Sequence, residues 1–181
     1  MACAWEESTK IRDVLIRPGT ENDCNTIMDL IRELASFQGY PYAPQITAEI
    51  LRRDGFGDNQ QASFQTLLAV DRTTDKIIGY AVFFPFYSTW RGKGMFLEDL
   101  YVKPAHRKLG IGKLLLAHVS KRTLDSGGCQ LRLSVLKTNP AKMFYSSLGF
   151  DNLTVDDGWE TGRLDTNALE HLLESSGLTR S

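Results

Sequence analysis

The sequence lacks any long apolar run. Its most apolar stretch, Ile77–Phe86, is about half of the ~20 residues that a membrane-spanning helix requires. The opening residues, MACAWEESTKIRD, hold no apolar core of the kind a secretory signal needs. Cysteine is scarce: Cys3, Cys24 and Cys129 are an odd, widely spaced set without a CxxC pair, so neither a disulfide framework nor a zinc site is expected. His106, His118 and His171 are just as scattered, and no metal is expected. An excess of one charge is missing too. With 21 Lys+Arg against 22 Asp+Glu, the chain has no global attraction to nucleic acid or to an anionic membrane. There is no internal repeat and no low-complexity tract. These absences leave a soluble intracellular protein, with no nucleic acid and no membrane among its partners, as the expectation.

What is present suits one globular domain. The chain has 181 residues, and a domain of that size buries about 70% of its unfolded surface, so it needs no metal or disulfide staple. Residues 1–12 read as a flexible extension, 13–175 as the domain and 176–181 as a tail. Asp13–Arg17 is a strand candidate closed by Pro18-Gly19, and Thr20 with Asp23 makes a variant capping box for a helix whose apolar positions run through Ile27, Leu30, Ile31 and Leu34. Gln38–Gln45, with two prolines, is loop. Thr47 caps a second helix running to Arg53, with Gly55 and Gly57 as its stop. Phe64–Asp71, Lys76–Tyr87 and Lys93–Val102 read as strands. A helix opens at Gly110, with Ile111, Leu114, Leu115 and His118 on its inner face, and stops at Ser126-Gly127-Gly128. Cys129–Leu136 reads as a strand with Cys129 buried in it, and Asn139–Leu148 as a helix ended by Gly149. Short strands follow near Phe150–Thr154 and Trp159–Leu164, then a helix over Thr166–Ser175. The fold class is α/β (α+β), a mixed sheet of about 6–7 strands with about four helices: antiparallel in its first half and parallel across the βαβ unit at residues 95–135.

The chemistry concentrates between Phe96 and Gly112. A strand enters a turn holding Arg107, Gly110 and Gly112, and a helix follows at once, which aims backbone N–H groups and the positive end of a helix at one point. Glycine at 110 and 112 lets an anion approach the backbone, and Lys103, Arg107, Lys108 and Lys113 add positive charge. A phosphate or diphosphate is the natural ligand. A P-loop fails because 107 is arginine and 114 is leucine, and GxGxxG fails because 115 is leucine. Arg-x-x-Gly-x-Gly remains.

Arg107-Lys-Leu-Gly-Ile-Gly112 resembles the acyl-CoA diphosphate loop of the GNAT superfamily of N-acetyltransferases. That family's second signature is matched by Asn139-Pro-Ala-Lys-Met-Phe-Tyr145, with Gly149-Phe150 after it. Arg32-Glu-Leu-Ala35, Asp54-Gly-Phe-Gly57, Phe96-Leu-Glu-Asp99 and Asp157-Gly-Trp159 further resemble the diamine (spermidine/spermine) acetyltransferase subgroup. Within it, Tyr87-Ser-Thr-Trp90 is most like the thialysine Nε-acetyltransferase branch. The resemblance, over roughly residues 13–165, implies a cytoplasmic homodimer that moves acetyl from acetyl-CoA to a primary amine of a small molecule.

It also implies roles. Glu98 is the family-like base, acting through water, against the alternative that it merely pairs with a basic neighbour; a carboxylate in an apolar strand is costly without a reason. Tyr145, with a phenol pKa near ~10, is the acid for the departing thiolate, against a core role shared with Phe144. Leu100, Tyr101 and Val102 offer backbone to the pantetheine arm. Arg107, Lys108, Leu109, Gly110, Ile111, Gly112 and Lys113 take the diphosphate, with Asn139, Lys142 and Tyr145 as further donor contacts; Asn139 equally suits a helix cap. Direct transfer in a ternary complex needs no cysteine nucleophile. The amine side would draw on Trp90, Glu98, Asp99, Asp157 and Trp159, each tryptophan having a core or interface role as its alternative. Gln38 and Ser88 stand where polyamine-type enzymes carry acids, which favours thialysine or lysine over spermidine, with Arg91 or another cation for the substrate carboxylate. Three alternatives stay open: spermidine/spermine N1-acetylation, protein or peptide N-acetylation, and a non-catalytic acyl-CoA sensor.

Overall fold

A computed structural model describes residues 13–57 and 62–176. The expected extension at 1–12 and all but the first residue of the tail at 176–181 lie outside the described residues. The described chain divides into two compact units, one ending at Leu136 and the other beginning at Lys137.

The first unit is a five-stranded sheet in the order β1-β2-β3-β4-β5, with β1 Val14–Pro18, β2 Gln65–Asp71, β3 Lys76–Ser88, β4 Gly92–Val102 and β5 Gln130–Leu133. The first three pairings are antiparallel, and β4 pairs parallel with β5, as the pattern of adjacent strands followed by a βαβ unit predicts. β2 reads Thr-Leu-Leu-Ala-Val without alternation because both of its faces are covered. On one face Leu68, Val70, Tyr80, Val82 and Tyr101 pack with Cys24, Ile27, Met28, Leu30 and Leu34 of α1 (Cys24–Phe37) and with Leu51 of α2 (Ala48–Phe56). The opposite face carries α3 (Ile111–Asp125), which contacts β2, β3 and β4.

The start of α1 is fixed by charge. Arg17 donates from both Nη atoms to the Asp23 carboxylate at 2.8 Å, and the Thr20 N–H and hydroxyl donate to the same group at 2.8 Å. These bonds, Arg17 first, hold the Asp23 pKa down at about 2. One 3-10 turn, Glu21–Asp23, precedes the α-helix. Thr47 caps α2 as expected, accepting the Ile50 N–H at 3.3 Å.

Several boundaries differ from the sequence reading. Gly55 does not stop α2, which runs through it to Phe56. Its glycine is there for room, since a Cβ would lie 2.5 Å from Cζ of Phe64. The buried face of α3 is Ile111, Leu115, Leu116, Val119 and Thr123, with Leu114 and His118 only half-buried, so the helix meets the sheet on its 111-115-119 stripe. Strand β5 is four residues long, and Cys129 precedes it, exposed, with its Sγ 2.8 Å from the Arg91 carbonyl oxygen.

The second unit contains α4 (Ala141–Ser146), α5 (Leu153–Asp156) and α6 (Thr166–Ser175). The last helix matches its expected bounds. The helix expected over Asn139–Leu148 is shorter at both ends, and the two short strands expected near 150–154 and 159–164 are not formed: part of the first is α5, and 157–165 carries no regular element. A strand exists only where a neighbouring edge satisfies its backbone groups, and no such pairing involves these residues. The described residues therefore hold five strands and six α-helices, against the 6–7 and four expected. None of the described helices is long and apolar enough to cross a membrane, and the described residues contain no cluster of His, Cys, Asp and Glu able to hold a metal ion.

Candidate active site

The site is built on the interrupted half of β4. Opposite β3, Val82 faces Asp99 and Phe83 faces Leu97, so Glu98 has no counterpart and forms a bulge. On the other edge, β5 pairs with Gly94–Leu97 and then ends at Leu133. From Glu98 to Val102 this edge of β4 therefore leaves its ladder groups outside any strand pairing. Leu100, Tyr101 and Val102, the residues named for the pantetheine arm, all lie on this open stretch. Glu98 is exposed.

Asp99 sits apart from its neighbour. It shares a face with Val82 and Tyr101, is half-buried, and accepts the Tyr80 hydroxyl at 2.9 Å. Burial pushes its pKa up, the Tyr80 hydrogen bond opposes that, and the Glu98 charge adds to it. Burial, followed by the Asp99 charge, raises the Tyr80 phenol well above its ordinary range.

Beyond β4, Pro104–His106 make one 3-10 turn, and the chain then bends through two left-handed residues, Lys108 (φ 61°) and Gly110 (φ 84°). α3 begins at Ile111, whose buried side chain anchors it. The first helical closure near the turn is Leu114 N–H to the Gly110 carbonyl at 2.9 Å, so the amides of Ile111 and Gly112 have no acceptor within the helix. A Cβ on Gly112 would meet only Val102 Cγ2, at 4.0 Å. No protein atom excludes a side chain there, whereas Gly110 is required by its backbone. Lys108 and Lys113 are exposed beside this turn, and Leu109 is half-buried. The arrangement is a concave set of N–H donors at a helix N-terminus, suited to an anion.

Arg107 lies at the head of the loop, but its side chain turns back. Its Nε donates to the Val102 carbonyl at 2.8 Å, and its guanidinium lies 4.3 Å from the Phe37 ring centroid and 5.3 Å from that of Tyr101. The Tyr101 hydroxyl donates to Glu33 at 3.1 Å, and Lys103 Nζ is 3.6 Å from the same carboxylate. Burial and then Glu33 raise the Tyr101 pKa. Sequence reasoning missed Glu33, Phe37 and Tyr80. The one available signal was that Glu33 and Phe37, four apart on α1, share a helix face.

Of the residues named for the amine, Ser88 and Trp90 lie at the β3–β4 hairpin tip. The Ser88 hydroxyl accepts the N–H groups of Trp90 and Arg91 at 3.3 and 3.2 Å, and so serves the turn. Trp90 is 80% exposed, which rules out a core role. Gln38 is half-buried at the end of α1, its N–H bonded to the Leu34 carbonyl. In the second unit, Tyr145 is buried on α4, with its ring 5.1 Å from Phe144 and 6.1 Å from Phe150. Asn139 is not the cap residue of α4, which is Pro140, but its Oδ1 accepts the N–H of Ala141, the first residue of that helix, at 2.9 Å. Lys142 is half-buried, Asp157 is exposed, and Trp159 is 53% exposed and so not a core residue.

Comparison with known proteins agrees with this geometry. Residues 27–150 match the model of the acetyltransferase (GNAT) family. A bovine (Bos taurus) thialysine N-epsilon-acetyltransferase is 38% identical over 166 residues, covering 88% of this chain and 96% of that protein. A human (Homo sapiens) spermidine/spermine N(1)-acetyltransferase-like protein 1 is 34% identical over 85% of this chain and 23% of its own length. Among solved structures, an integron cassette protein from the mobile metagenome of V. cholerae superposes with a TM-score of 0.69 at 22% identity, covering 90% of this chain and 98% of that one, which speaks to the fold. With the family model spanning most of the chain and the bulged, open-edged β4 leading into its glycine turn, the chain belongs to the GNAT acetyltransferase family and is an acyl-CoA-dependent N-acetyltransferase.

Proposed function

We propose that this chain transfers acetyl from acetyl-CoA directly to a primary amine of a small molecule, of the thialysine, lysine or diamine type. The observation that carries the reading is Glu98, alone in the bulge at the point where β5 leaves β4. A donor arm running along Leu100–Val102 as an added strand brings its thioester toward that point, with its diphosphate on the amides of the 108–112 turn. Lys108 and Lys113 add charge there, and Asn139 and Lys142 are assigned to the same donor.

The chemistry follows from the charge states. An alkyl amine has a pKa near ~10.4 and is protonated at neutral pH, so it cannot attack. Glu98, through a water, takes the proton. The amine nitrogen then bonds to the thioester carbonyl carbon, and collapse of the tetrahedral intermediate breaks the C–S bond. The departing thiolate takes up a proton, a role the resemblance assigns to Tyr145, leaving an amide and CoA–SH. No covalent enzyme intermediate is needed.

The carboxylates of the first unit favour an amino-acid-like amine over a polycation. Asp99 is committed to Tyr80, Glu33 to Tyr101 and Lys103, and Gln38 and Ser88 carry no charge. Asp157, Trp159 and Trp90 are assigned to the amine, and Arg91 is a cation available for a carboxylate. Relatives named as thialysine N-epsilon-acetyltransferases from cattle, pig and mouse support the same substrate class. The family resemblance further implies a cytoplasmic homodimer, which sedimentation of the purified chain tests directly.

The deciding experiment is steady-state release of CoA from acetyl-CoA with thialysine, lysine, putrescine, spermidine and spermine at equal concentration. We expect thialysine or lysine to lead. Spermidine leading would overturn the amine assignment and keep the chemistry, and no turnover with any of them would overturn the small-molecule reading.

A further inference from the structure

We infer that the Arg107 side chain is a positioning strut for the phosphate-binding turn and not a ligand of the phosphates. This rests on the reading above that the 107–112 turn takes the donor's diphosphate. A cation at the head of such a turn is expected to point at the anion. Here the guanidinium is engaged by three protein contacts: Nε on the Val102 carbonyl at 2.8 Å, one ring face of Phe37 at 4.3 Å, and Tyr101 at 5.3 Å. Tyr101 is itself tied to Glu33, one helical turn before Phe37, by its hydroxyl. Arg107 thus joins the last residue of β4 to the last turn of α1.

The need for such a strut lies in the backbone that follows. Lys108 is a non-glycine residue at φ 61°, and Gly110 is at φ 84°. A left-handed lysine is an unfavourable conformation that persists only where its surroundings hold it. The Val102 carbonyl and Arg107 bracket the segment that leads into this bend, so fixing one to the other sets the direction in which the amides point. Phe37 also immediately precedes Gln38, the residue that opens the loop to α2. The donor turn and that loop therefore share one anchor.

Charge and shape make different predictions for this residue. Lysine keeps the charge of arginine but has neither the planar face that stacks on Phe37 and Tyr101 nor an Nε–H beside Val102. The test is calorimetric titration of acetyl-CoA into the wild-type chain, Arg107→Lys, Phe37→Leu and the double variant, with urea unfolding to establish that each is folded. The strut predicts that Arg107→Lys weakens binding about ten-fold or more and that Phe37→Leu, which touches no phosphate, weakens it about three-fold or more. It also predicts that the double variant is no worse than Arg107→Lys alone, because the two side chains act as one unit. Arg107→Lys binding like the wild type, or Phe37→Leu without effect, overturns the inference and makes Arg107 a charge ligand. A folded wild-type chain that does not bind acetyl-CoA overturns the parent reading together with it.

Discussion

Gly110 and Gly112 are two residues apart in one motif, yet only Gly110 is required by its own backbone, and alanine substitution should separate them. Gly110 sits at φ 84°, ψ −3° as the residue before α3. A Cβ in that left-handed region costs roughly 1–2 kcal/mol. At roughly 2–4 °C per kcal/mol for a chain of this size, Gly110→Ala should lower the melting temperature by about 2–8 °C. Gly112 lies in the first turn of the helix, where the nearest protein atom to a new Cβ is Val102 Cγ2 at 4.0 Å. There alanine relieves the entropic cost of glycine, about 0.5–1 kcal/mol, so Gly112→Ala should melt at or slightly above the wild-type temperature.

Binding should run the other way. A methyl group on Gly112 keeps a diphosphate from closing on the adjacent amides, and a hydrogen bond to a charged group is worth about 1.5–3 kcal/mol. Loss of one corresponds to a rise of about 10- to 150-fold in the Kd for acetyl-CoA. Scanning fluorimetry and calorimetric titration of the two variants measure both quantities. Gly112→Ala binding acetyl-CoA as tightly as the wild type would refute the assignment of this turn as the phosphate cradle.

Three further outcomes are expected. Glu98→Gln should lower kcat about 100-fold or more, the usual contribution of a general base, while leaving acetyl-CoA affinity within about two-fold; an unchanged kcat would remove Glu98 from the base role. Asp23, held at a pKa of about 2 against an ordinary 3.8, stabilises the fold fully above pH ~4 and loses that contribution as pH falls through ~2. Asp23→Asn should therefore cost about 2 kcal/mol at pH 7 in urea unfolding and clearly less at pH 3, and a pH-independent cost would contradict the Arg17 pairing. Gly55→Ala should cost about 1–3 kcal/mol by overpacking, because its Cβ would lie 2.5 Å from the Phe64 ring, and Phe64→Leu should recover part of that loss. Full additivity of the two substitutions would argue against the contact.

The sequence alone determined what depends on local chemistry. Punctuation by Pro18-Gly19 and Ser126–Gly128, together with period-2 and period-3.6 patterning, placed β1 to β4, α1 and α3 to within a few residues, because these elements satisfy their backbone groups by near-neighbour rules. The glycine spacing of the 107–112 turn was legible for the same reason, since left-handed and close-approach positions constrain residue type directly.

Only the tertiary structure decided what depends on a partner distant in sequence. The strands expected near 150–154 and 159–164 needed an edge to pair with and did not form. Gly55 looked like a helix stop because sequence cannot show a Phe64 ring lying over it. The bulge at Glu98 arises from a register between β3 and β4 that neither strand encodes alone, and the open edge of β4 arises from where β5 happens to end. Asp99 and Glu98 are adjacent carboxylates in the sequence. Pairing across the sheet puts one on the Tyr80 hydroxyl and leaves the other in solvent, and that separation gives two like side chains different chemistry.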